Sequence, residues 1–132
     1  KLLMGGPMMG VAQFSLEIPI FKGTNAFLAF CGDEDKRVAD PQCIRCGKCI
    51  NACPMHLLPN YMNLYGKKDD LDNALECGVM DCIECGSCAY VCPARIPLVA
   101  QFRLTKGKIQ AKRAAEKAKA DAEKAKAEAE KK

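Results

Sequence analysis

The chain has 132 residues, a formal net charge of +4, 49% hydrophobic and 27% charged residues, ten Cys and no Trp. A chain this short builds one small domain with extensions, and its modest core calls for a metal, disulfides or a partner. No apolar run reaches the roughly 18 residues of a membrane span, and Lys1–Met4 meets Gly5-Gly6-Pro7 too soon for a signal peptide, so neither is expected here.

Residues 11–22 alternate, with Phe14, Leu16, Ile18 and Ile20 set against Gln13, Ser15 and Glu17, which predicts a half-buried strand. Pro19 makes it an edge strand or marks a bulge. Gly23-Thr24-Asn25 reads as a turn and Ala26–Phe30 as a second strand, with the acidic stretch Asp33–Asp35 as a boundary. Two strands are not stable alone, so residues 1–37 are expected to close a preceding β-rich domain. With no initiator Met, the chain reads as a piece of a longer protein.

The cysteines then gather. Cys43, Cys46, Cys49 and Cys53 follow the spacing C-x2-C-x2-C-x3-C before Pro54, and Cys82, Cys85, Cys88 and Cys92 repeat it before Pro93. Three thiolates two residues apart on one tight loop can hold three irons of a [4Fe–4S] cube, while the fourth Cys reaches the cluster of the other run. The expected ligand sets are therefore Cys43, Cys46, Cys49 and Cys92 for cluster 1, and Cys82, Cys85, Cys88 and Cys53 for cluster 2. Gly47 and Gly86 follow the second Cys of each run, where a missing Cβ lets backbone approach the sulfurs. Structural zinc would draw C-x2-C pairs from separate loops, often with His, and a disulfide framework would mark a secreted mini-protein. Three evenly spaced thiols in one loop, twice over, fit neither.

The spacer and tail read as helical. Leu58, Tyr61, Met62 and Tyr65 recur at i, i+3, i+4 and i+7, with Gly66 as a stop. Asp69 or Asp70 can cap a second short helix through Leu75 that ends at Gly78. Pro97 suits a first helical turn, with Leu98, Phe102 and Ile109 facing inward. The expected fold is mostly α: a helical ferredoxin-like domain over 38–103, with a short β segment before it. The charged Ala-rich helix of 104–132 follows, its acid-first pairs being Glu116–Lys119, Asp121–Lys124, Glu123–Lys126 and Glu128–Lys132. Residues 103–132 carry 11 basic and 5 acidic side chains, a solvated face or a contact for an acidic partner or anionic lipid. No aromatic residues interleave with the basic ones, so nucleic-acid binding is not expected.

Several motifs now combine: Gly5-Gly6-Pro7-Met8-Met9-Gly10, Lys22-Gly23-Thr24-Asn25, the run Cys43–Cys49, the run Asp81–Pro93, Ile96-Pro97-Leu98-Val99, Phe102-Arg103 and the Ala/Lys/Glu tail. In order and identity they resemble the C subunit of the Rnf electron-transport complex, across essentially the whole chain. The resemblance implies electron transfer through two [4Fe–4S] clusters in a membrane-associated, ion-translocating NADH:ferredoxin oxidoreductase. FMN and NADH are expected only on an N-terminal part missing here, since this chain has no Gly-rich phosphate loop. The implied partners are the other subunits of the membrane complex. Clusters assemble in a reducing compartment, so the implied place is peripheral, on the cytoplasmic face of the inner membrane. The alternative is a free two-cluster ferredoxin or the iron–sulfur subunit of another dehydrogenase.

Charge beside the runs suggests a further expectation. Arg45 and Lys48 lie in the first, Asp81 and Glu84 in or beside the second, so cluster 1 should have the higher reduction potential. Cys31 and Cys77 fall outside the ligand spacing and read as small buried hydrophobes. His56, the sole His, reads as a helix-start residue and the N-terminal Met pairs as interface packing. No catalytic residues for bond-making chemistry are expected.

Overall fold

The computed structural model describes residues 1–32, 38 and 40–130, with side chains through residue 122. The acidic boundary expected at 33–35 lies outside the described residues. A small antiparallel sheet comes first. Its central strand β1 (Leu2–Met4) lies between β2 (Val11–Ala12) and β3 (Phe27–Ala29), with Leu3 opposite Ala12 on one side and Leu28 on the other.

β3 falls within the second expected strand. The first expected strand forms only at its start: of residues 11–22 only Val11 and Ala12 make up a strand, and Phe14 and Leu16 are 96% and 86% exposed. Alternation shows which face a strand would bury, but a strand also needs a ladder partner. The Gln13 N–H still donates to the Leu2 carbonyl of β1 at 2.9 Å, and residues 14–22 have no neighbour among the described strands. β1 itself is not expected from the sequence, because three apolar residues carry no period.

The rest is helical: α1 (Lys48–Asn51), α2 (Pro59–Lys67), α3 (Leu71–Glu76), a 3₁₀ turn (Val79–Asp81), α4 (Ser87–Tyr90) and α5 (Leu98–Glu130). Local chemistry explains the boundaries. Pro59 sits in the first turn of α2, where a missing N–H leaves no hydrogen bond unmade. Asp70 caps α3, its carboxylate accepting from the Asn73 backbone N–H at 3.2 Å and from the Asn73 side chain at 2.6 Å. Gly78, at φ 74°, follows α3 in the left-handed conformation that ends helices cheaply.

The repeated run is matched by a repeated backbone. A shift of 39 residues carries α1 onto α4 and the start of α2 onto the start of α5. The same shift carries left-handed Arg45, Gly47 and His56 onto left-handed Glu84, Gly86 and Arg95. It also relates Gly66 to Thr105, and there the two long helices meet. A Cβ at Gly66 would lie 2.5 Å from Thr105 Oγ1. Gly66 therefore does not stop α2, which continues to Lys67; it lets α5 approach.

The expected face of α2 is shifted by one residue. Pro59, Met62, Asn63 and Gly66 are buried, whereas Leu58 and Tyr61 are 41% and 46% exposed. The spacing is the predicted one, but Asn and Gly are invisible to an apolar pattern. Met62, Ala74, Val79, Cys88, Ile96, Leu98, Phe102 and Ile109 form one core. As expected, Leu98, Phe102 and Ile109 point inward, at 2%, 0% and 1% exposure. Cys77 is partly buried against this core, but Cys31 is exposed, because β3 has already ended at Ala29.

α5 spans 33 residues, about 50 Å, and is exposed from Gln110 through Ala122. Lys108 pairs with Asp69, and Lys112 with Asp72 at 3.0 Å, so these ion pairs reach from the helix to the body of the fold. Among the described residues, no ion pair joins Glu116 to Lys119; the other expected tail pairs involve side chains outside the described ones.

Candidate functional site

Each run folds as a tight loop that feeds a one-turn helix. Left-handed residues at 45 and 47, and again at 84 and 86, curl the backbone so that N–H groups turn into the loop. The Glu84 N–H lies 3.4 Å from Cys82 Sγ, and the Leu57 N–H donates to Cys53 Sγ at 3.4 Å. The two glycines serve different neighbours. The space around Gly47 is open, while a Cβ at Gly86 would lie 2.7 Å from Met8 Cβ and 2.8 Å from Met8 O. Gly86 thus admits the N-terminal segment against the second run rather than only backbone against sulfur.

The eight run cysteines divide between two cavities. One is lined by Cys43, Cys46, Cys49 and Cys92, the other by Cys82, Cys85, Cys88 and Cys53. In each, three thiols come from one run and the fourth from the other. The 39-residue shift relates the walls too: Ile96 to Leu57, Leu98 to Pro59, Asn60 to Val99 and Asn63 to Phe102. Among the described residues, no three Cys, His, Asp or Glu side chains gather closely enough to hold a single metal ion. Four thiols spread around a cavity suit a larger, sulfur-ligated group. His56 lies outside both walls, exposed at the turn before α2.

The two cavities differ in cover. Cys43 and Cys46 are exposed, whereas Cys82 and Cys85 are partly covered and Cys88 is buried. Burial raises the Cys49 and Cys82 thiols above their ordinary value and pushes Cys88 up to about 11. Cys85 is held lower, chiefly by the Ser87 hydroxyl 3.4 Å from its sulfur.

Charge around the second run is not what its acidic residues suggest. Arg103 Nε donates to Glu84 Oε2 at 2.6 Å and Lys106 Nζ to Glu84 Oε1 at 2.9 Å. Lys106 also donates to the Cys82 carbonyl at 2.6 Å, and Arg103 to the Met9 carbonyl at 2.8 Å. Burial alone would raise the Glu84 carboxyl, but the two cations outweigh it and hold it below the usual carboxylate range. Arg45 and Lys48, by contrast, are exposed and form no ion pair with a described residue. The expected charge contrast between the runs is therefore narrowed by α5, whose Arg103 and Lys106 lie about 20 residues beyond Glu84 and carry no local signal.

Glu84→Gln removes one half-buried anion and leaves two cations facing each other. Unfolding free energy at neutral pH is expected to fall by about 1–3 kcal/mol. A carboxylate with a depressed pKa contributes stability that is present above its unfolded value and lost as pH falls through its folded value. The gap between wild type and Glu84→Gln in urea melts should therefore be full at pH 7 and shrink in acid.

A domain family described as a 4Fe-4S dicluster domain matches residues 35–93. The C subunit of the ion-translocating oxidoreductase complex of Rhodobacter capsulatus is 46% identical over 114 residues, 86% of this chain and 22% of the relative. The chain matches a segment of the C-subunit family of ion-translocating oxidoreductase complexes. Within that family, the C subunit of the Na(+)-translocating ferredoxin:NAD(+) oxidoreductase complex of Acetobacterium woodii is 46% identical over 86% of this chain and 26% of its own length. The C subunit of the proton-translocating ferredoxin:NAD(+) oxidoreductase complex of Clostridium ljungdahlii is 46% identical over 89% of this chain and 26% of its own length. The chain thus spans about a quarter of the length of these relatives. The matched segment holds both cysteine runs, and no described helix is long and apolar enough to cross a membrane.

Proposed function

We propose that this chain is a two-centre electron conduit within an Rnf-type, ion-translocating ferredoxin:NAD(+) oxidoreductase. Cys43, Cys46, Cys49 and Cys92 hold one [4Fe–4S] cluster, and Cys82, Cys85, Cys88 and Cys53 hold the other. When bound, such clusters accept and release one electron each without moving substrate atoms. The observation that carries this reading is the division of eight thiols into two fours, each completed by a residue of the other run.

The chain's own residues shape the rest. The exchange of Cys53 and Cys92 between cavities ties the runs together, so the separation of the two centres is fixed by covalent structure. Phe102, Val99 and Met62 are buried and wall the second cavity, while Cys43 and Cys46 of the first are exposed. Arg103 and Lys106 clamp α5 onto the second run and the N-terminal segment at once. FMN and NADH belong to a part of the protein outside this chain, and the remaining partners are the other subunits of the complex. The site of action is peripheral, at the cytoplasmic face of the membrane.

In the full-length protein, anaerobic addition of NADH should reduce both centres, read by freeze-quench EPR. Cys46→Ser and Cys85→Ser should each remove one signal. NADH that is oxidised while both centres stay oxidised would contradict the conduit.

A further inference from the structure

The two cavities match thiol for thiol and differ where the long helices face them. Asn60 and Asn63 of α2 line the first; their counterparts Val99 and Phe102 of α5 line the second. Asn63 is 4% exposed, and the Oδ1 atoms of both asparagines are buried without a hydrogen-bond partner among the described residues. A buried polar atom left unpaired costs about 1–3 kcal/mol. Two on one wall, beside four thiols, mark a place where polarity answers something outside the protein's own hydrogen bonds.

An amide carries an acceptor at one end and two donors at the other, and a half-turn exchanges them. A cluster with four thiolate ligands presents negative charge to this wall, so the N–H end is the one it favours. We propose that Asn60 and Asn63 donate hydrogen bonds to sulfur atoms of the cluster held by Cys43, Cys46, Cys49 and Cys92, and thereby set its reduction potential above that of the other cluster. The proposal rests on the two-cluster reading. Reduction adds negative charge to the sulfurs, and a donor binds the more negative state better, so it favours the reduced form. Val99 and Phe102 offer no side-chain donor. Arg103 and Lys106 pair with Glu84, which narrows the charge contrast between the two centres. Asn60 and Asn63 are positioning residues in this sense: they hold no iron and bias where an electron rests.

The test is a potentiometric titration of the anaerobically reconstituted protein followed by EPR, with Cys46→Ser and Cys85→Ser identifying the two signals. Asn60→Val and Asn63→Leu should each shift the first cluster toward the oxidised form by about tenfold in the one-electron equilibrium, or about 59 mV, and leave the second in place. The reciprocal Val99→Asn should raise the second. If Asn63→Leu fails to retain its iron, Asn60→Val and Val99→Asn decide. A first cluster whose potential is unmoved in variants with full iron content, or that lies below the second in wild type, overturns the proposal. Iron far below eight per chain in wild type would instead remove the two-cluster reading on which it rests.

Discussion

Cys92→Ser is expected to remove the cluster of the first run, and Cys53→Ser the cluster of the second. Each should lower iron from about eight to about four per chain. The reason is the crossing of the fourth ligands: Cys92 lines the cavity of Cys43, Cys46 and Cys49, and Cys53 that of Cys82, Cys85 and Cys88. The two losses are told apart by pairing variants. The EPR spectrum remaining in Cys92→Ser should match that of Cys46→Ser, and the spectrum in Cys53→Ser should match that of Cys85→Ser. If each run closed on its own cluster, the matches would be exchanged.

Phe102→Ala has the second large effect. Phe102 is fully buried, belongs to the core shared by α2, α3 and α5, and forms part of the wall of the second cavity. Truncating a buried Phe removes its transfer free energy and leaves a void, for a loss of about 3–5 kcal/mol. The void opens beside Cys82, Cys85 and Cys88, so water and chelator reach that centre first. Urea unfolding should shift to markedly lower denaturant. Iron release to a chelator should become biphasic, the fast phase carrying the second-run EPR signal. Equal acceleration of both phases would place Phe102 in general stability alone.

The parts of this protein readable from sequence are those fixed by local chemistry. The loops around the cysteines follow from spacing, α3 from the Asp70 cap and the left-handed Gly78, and α5 from its Ala-rich run and inward Leu98, Phe102 and Ile109. What escapes a sequence reading depends on partners distant in the chain. Residues 14–22 continue the alternation of a strand and have no described strand to pair with. Gly66 looks like a helix stop until Thr105 is brought against it, and Glu84 looks like a lone anion until α5 supplies Arg103 and Lys106. Asn60 and Asn63 carry no signal in an apolar pattern, which scores a buried amide as surface. The signal that reveals them is the repeat itself. Aligning the two runs over the helices that follow sets Asn60 beside Val99 and Asn63 beside Phe102, and marks the positions where the halves diverge.

The most direct measurement is iron and acid-labile sulfide per chain after anaerobic reconstitution, with EPR of the dithionite-reduced sample. The predicted result is about eight of each, with the spectrum of two interacting [4Fe–4S] centres. Two zinc ions per chain, or little iron and no EPR signal, would contradict the account and leave the two cavities as scaffolding.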